Sequence, residues 1–121
     1  MVRVALVGIA GAVGALCRYG IGAAVGTRSF PWSTLGINLV GSFLLGALVE
    51  VAGARGWSPD VTAPLAIGFL GAFTTFSTFA VETDLFLRTD RLGTALVYVV
   101  MSVGVGVGAA AAGYRVGTVL R

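Results

Sequence analysis

The chain has 121 residues, 57% of them hydrophobic and 11% charged, with a formal net charge of +3 and a mean hydropathy of +0.98. A soluble domain carries roughly a quarter of its residues charged to cover its surface, so this composition excludes an exterior facing water and points to a bilayer. The arginines are scattered and form no patch, which gives nucleic acid no footing. With no histidine and a single cysteine, Cys17, there is neither a Cys/His transition-metal site nor an internal disulfide.

Crossing a hydrocarbon core of about 30 Å takes about 20 mostly apolar residues in a helix. Four stretches qualify: 4–26, 29–49, 61–81 and 92–114, only the first of which contains a charge, Arg18. They predict an all-α, polytopic membrane protein with four spans in a single domain, joined by short punctuated connections around Pro31, Pro59 and Arg88–Arg91. The first span resembles a secretory signal, but no A-x-A-like site precedes a polar mature domain, and Leu16 is too bulky for the lipoprotein-like reading of Gly14 to Cys17.

Orientation normally follows an excess of basic residues on the cytoplasmic side. With four spans, Arg3, Arg55, Arg115 and Arg121 share one side; Arg28, Arg88 and Arg91 take the other, with Arg18 nearer to it. That near-tie predicts dual topology with antiparallel pairing, although a weak bias or a partner that decides orientation is also compatible with it. Glycines allow close helix approach, and Gly22, Gly26, Gly104, Gly106 and Gly108 support packing against a partner, although four helices must pack on one another in any case. Four thin helices do not readily enclose a walled path, whereas eight do.

In the second span Thr34, Asn38 and either Gly41 or Ser42 share a face. An unpaired amide at that depth costs several kcal/mol, so Asn38 is either interhelical glue or a donor facing a pathway. The third span, Gly68 to Phe79, alternates aromatic and hydroxyl residues and sets threonines near Gly71. This lowers helix propensity at mid-membrane depth and predicts a broken third helix. Such a break is tolerated where it is buried or lines a cavity, and it frees carbonyls that can hold a cation. Phe76 and Phe79 share a face. Their ring edges carry partial positive charge and suit an anion path, although lipid contact or core packing is the better explanation of a bare aromatic pair. On the fourth span Tyr98 and Ser102 place two hydroxyls on one face, with Gly106 next in that series.

Gly14-Ala15-Leu16-Cys17-Arg18-Tyr19, Thr34 to Phe43 and Gly68 to Phe79 together resemble the signatures of the Fluc (CrcB) family of fluoride channels, and the resemblance covers essentially the whole chain. It implies an antiparallel dimer with two fluoride pathways in the cell membrane. Asn38 would be the pore donor, with Phe76 and Phe79 presenting ring edges to the ion. Thr34, Ser77, Thr78, Tyr98 and Ser102 would belong to the adjoining hydroxyl track. The backbone carbonyls of Gly71 and Thr74 from both copies would hold one structural sodium ion, Na+. Arg18 would lie near an aqueous mouth, and Glu82 matches an acidic position whose role stays open. Some members have serine where this chain has Gly106, which weakens the outer end of the track.

The residues suit that work. Fluoride is strongly hydrated and must exchange water for donors, yet conduction needs binding weak enough to release. No basic residue occurs from Ser29 to Ala54 or from Gly56 to Leu87. A negative interior favours anion exit by about 2.3 kcal/mol per 100 mV, so no nucleotide motif is needed. Among rivals, a small multidrug exporter would need a carboxylate in the first span, which has none. A non-transporting accessory subunit would leave Asn38, Phe76 and Phe79 unexplained. An enzyme would need a base, nucleophile or metal ligand beside the acids, and these cluster at span ends without one. A heterodimer with a homologue of opposite orientation remains an alternative to the homodimer.

Overall fold

A computed structural model describes residues 1–121 and is helical, without strands. Helix α1 covers Val2–Val25 and α2 covers Trp32–Ala54. The third span, Pro59–Arg88, consists of α3 (residues 59–73) and α4 (Phe76–Arg88). Helix α5 covers Leu92–Leu120. The four spans contain 24, 23, 30 and 29 residues, each enough for the hydrocarbon core at 1.5 Å per residue.

The ends differ from the apolar stretches for local reasons. Pro31 is the N-cap of α2, so the helix starts at Trp32 rather than Ser29. The third span runs on to Arg88, where Arg88 Nε bonds Asp84 Oδ2 at 2.6 Å one turn back. Helix α5 runs on to Leu120, whose carbonyl accepts from Arg55 Nη2 at 2.7 Å. Inside α3, Pro64 has no N–H to give its ladder, and the hydrogen bonding widens to the π register from Pro64 to Leu70. A second π segment, Met101–Val105, lies in α5.

Helix α2 packs along the second half of α5, and α1 packs along α3. Glycines let these backbones touch within one copy. A Cβ at Gly113 would collide with the Phe43 carbonyl, one at Gly46 with the Ala110 carbonyl, and one at Gly14 with the Phe69 carbonyl. Gly22, Gly26, Gly104 and Gly108 meet nothing within 4 Å, and Gly106 only grazes Leu39. Spacing along one helix does not reveal which face meets a neighbour; Gly26 instead ends α1 with φ 68°.

Only 16 of the 121 residues are buried, so most of the apolar surface faces outward, as lipid contact requires. The buried cluster of Leu35, Phe86, Ala95 and Tyr98 sits toward one end. The opposite end is tied by ion pairs, Arg3 Nε to Asp60 Oδ1 at 2.6 Å and Arg121 Nη1 to Glu50 Oε1 at 2.7 Å. Arg3, Arg55 and Arg121 therefore meet at one end of the bundle. At the other end Arg91 Nη2 donates to the Ser29 carbonyl at 3.2 Å.

Candidate functional site

The helical backbone stops after Phe73. Thr74 (φ −81°, ψ 159°) and Thr75 (φ −150°, ψ 116°) are extended, and helix resumes at Phe76. Asn38 of α2 meets this link with both ends of its amide. Thr75 N–H donates to Asn38 Oδ1 at 2.8 Å, and Asn38 Nδ2 donates to the Thr75 carbonyl at 3.0 Å. The pairing fixes which way the amide points and uses one Nδ2 hydrogen, leaving the other for a further acceptor.

The same pairing changes the bonding of two carbonyls. In a continuous helix Thr75 N–H would serve Gly71 and Thr78 N–H would serve Thr74. Here Thr75 N–H goes to Asn38, while Thr78 N–H goes to Thr75 Oγ1 at 3.3 Å, which caps α4. The Gly71 and Thr74 carbonyls are thereby released from the ladder. From α1, Arg18 Nε donates to the neighbouring Ala72 carbonyl at 3.1 Å, so Arg18 braces the third span at the end of α3.

A cavity of about 300 Å³ opens against this link, lined by Asn38, Gly41, Ser42, Gly71, Thr74, Thr75, Phe76, Phe79 and Ser102, with apolar neighbours from α2, α3 and α5. Asn38, Phe76, Phe79, Gly71, Thr74 and Ser102 thus meet at one place. The Phe76 and Phe79 ring centroids are 5.7 Å apart and inclined at 54°. Ser102 Oγ is buried with no hydrogen-bond partner in the chain; a buried hydroxyl left so costs about 1–3 kcal/mol.

Other residues of the expected track lie off the cavity. Ser77 and Thr78 sit in the first turn of α4, within 3.4 and 3.0 Å of Thr75 Oγ1. Tyr98 stands behind Phe79 at 5.1 Å between centroids, edge to face, fully buried. Its hydroxyl donates to Glu82 Oε2 at 2.6 Å, and Thr34 Oγ1 donates to Glu82 Oε1 at 2.9 Å. Glu82, left without a role by sequence, therefore joins α2, α4 and α5. Thr75 was missed altogether. A threonine three residues before Thr78, at the start of a helical turn, is the N-cap signal that would have found it.

Four apolar helices define a multi-pass membrane protein, and an amide, hydroxyls and aromatic rings line a cavity against the interrupted third span. The family model described as CrcB-like protein, Camphor Resistance (CrcB), matches residues 5–114. The chain is 44% identical to the fluoride-specific ion channel FluC 1 of Symbiobacterium thermophilum, over 93% of this chain and 94% of that one. It is 42% identical to the fluoride-specific ion channel FluC of Thermus thermophilus, over 99% and 98%. With the protein of the same name from Deinococcus radiodurans it shares 43% identity over 90% of each chain. The chain belongs to the CrcB family. It is accordingly a multi-pass protein of the cell membrane and not an enzyme.

Proposed function

We propose that the chain forms a fluoride-selective channel, an antiparallel dual-topology homodimer in which fluoride leaves the cytoplasm passively through two pathways. The observation that carries this reading is the cavity where Asn38, Phe76, Phe79 and the unpartnered Ser102 hydroxyl meet beside the interrupted third span. One Nδ2 hydrogen, a hydroxyl and two ring edges are donors that can replace water around a small anion. None is a fixed cation, so none traps the ion. The names of the relatives, fluoride-specific ion channels, supply the substrate. Thr34 and Tyr98, held on Glu82, and Ser77 and Thr78 beside Thr75 extend the hydroxyl track, and Arg18 serves near an aqueous mouth.

Phe76 is 77% exposed in a single copy, so half of the aromatic lining is bare until a second copy covers it. That exposure supports the dimer. The carbonyls of Gly71 and Thr74, released from the helix ladder, are hard oxygen donors of the kind an alkali cation takes. They fit a structural Na+ shared between two copies, whose charge would hold the two interrupted spans together.

The test is ion efflux from liposomes containing the purified protein. Fluoride should leave when a potassium ionophore clamps the potential, and chloride should not. Chloride flux equal to fluoride flux would remove the assignment.

A further inference from the structure

A second cavity, of about 340 Å³, lies between the α1–α2 connection and the end of the third span, lined among others by Arg28, Trp32, Ser33, Glu82, Phe86 and Arg91. Its two arginines are held by backbone rather than by acids. Arg28 Nε donates to the Val25 carbonyl at 3.2 Å, and Arg91 Nη2 to the Ser29 carbonyl at 3.2 Å, with the Arg91 guanidinium 4.8 Å above the Phe86 ring. Neither pairs with a carboxylate, and Asp84 is taken by Arg88 outside the cavity. Glu82 is the one acid in the lining, and both its oxygens are engaged by hydroxyls. Across Glu82, Tyr98 and Phe79 this cavity is back to back with the first one.

We infer that this second cavity is an aqueous mouth of the pathway that gathers small hydrated anions, with Arg28 and Arg91 as the residues that concentrate them. This rests on the channel reading above. Two cations against one acid leave about one net positive charge facing the opening. At about 7 Å in water, that charge raises the local anion concentration about threefold. The cations stand at the rim rather than in the narrow part, so they raise supply without slowing release.

The test compares wild type, Arg28→Gln with Arg91→Gln, and Arg28→Lys with Arg91→Lys. In liposomes of neutral lipid at low ionic strength, initial fluoride efflux should fall about sevenfold in the glutamine pair, where only the Glu82 charge is left and the net charge changes by two units. The lysine pair should keep the wild-type rate. The gap should close near 1 M impermeant salt, where the screening length is about 3 Å. A loss that persists at high salt and is not restored by lysine would mean the arginines act only in packing, and would overturn the mouth. A gap present only in vesicles of anionic lipid would assign the cavity to lipid headgroups and overturn it equally. A second readout is independent of conduction. With Trp57→Phe as background, Trp32 is the sole tryptophan and lines the cavity. Its quenching by iodide should drop about sevenfold in the glutamine pair, while quenching by neutral acrylamide stays constant. Equal iodide quenching in both proteins would sink the anion site. If the iodide effect appears while wild type passes no fluoride, the site stands and the channel reading falls.

Discussion

At the scale of single residues, Asn38 has two tasks that substitution separates. Asn38→Ala strands the N–H and C=O of Thr75 and should cost roughly 2–4 kcal/mol, read as a lower unfolding midpoint in detergent. Asn38→Asp can still accept from Thr75 N–H but cannot donate, and it sets an anion in the cavity. Fluoride efflux should fall at least about a hundredfold, near 3 kcal/mol of added barrier, in a protein that stays folded. Phe76→Ile keeps the apolar volume and removes the ring edge, so it should abolish flux while the dimer survives size-exclusion chromatography. Normal flux in both Asn38→Asp and Phe76→Ile would place the path elsewhere. Asn38, Phe76, Phe79 and Ser102 were legible in the sequence because a polar or aromatic group at span depth needs a reason. Thr75 was not, because it works through its backbone, and Glu82 was not, because only the packing brings Thr34 and Tyr98 to it.

At the scale of helices, the packing depends on where small residues meet a neighbour's backbone. Gly113→Leu would drive a side chain into the Phe43 carbonyl of α2. It should lower stability by about 2–3 kcal/mol or more, seen as loss of monodisperse protein. Gly93→Ala, which meets nothing within 4 Å, should change the unfolding midpoint little. The four spans themselves were legible because each holds about 20 apolar residues, enough to demand a bilayer. The π segments at Pro64–Leu70 and Met101–Val105 were not, since a change of hydrogen-bond register leaves hydrophobicity unaltered. The glycine contacts stayed hidden for a related reason: G-x-x-x-G says that a face is small, not that it is covered.

At the scale of the whole molecule, the two ends of the bundle carry nearly matched arginines, Arg3, Arg55, Arg115 and Arg121 against Arg28, Arg88 and Arg91. A reporter fused to the C-terminus should therefore be detected on both faces of the membrane. A single orientation in cells expressing only this chain would rule out dual topology. Replacing Na+ by a bulky organic cation should slow efflux and weaken the dimer together, and unchanged efflux and dimer would remove the structural ion. The interruption at Thr74 and Thr75 has one further consequence. Each half of the third span has its own dipole, and the two meet head to tail at this link. The negative end of α3 and the positive end of α4, with the Phe76 and Ser77 amides at its start, lie two residues apart. The link thereby acquires adjacent half-charges of opposite sign, built from peptide bonds. One link can then attract a cation on one side and an anion on the other, with no ionised side chain between them.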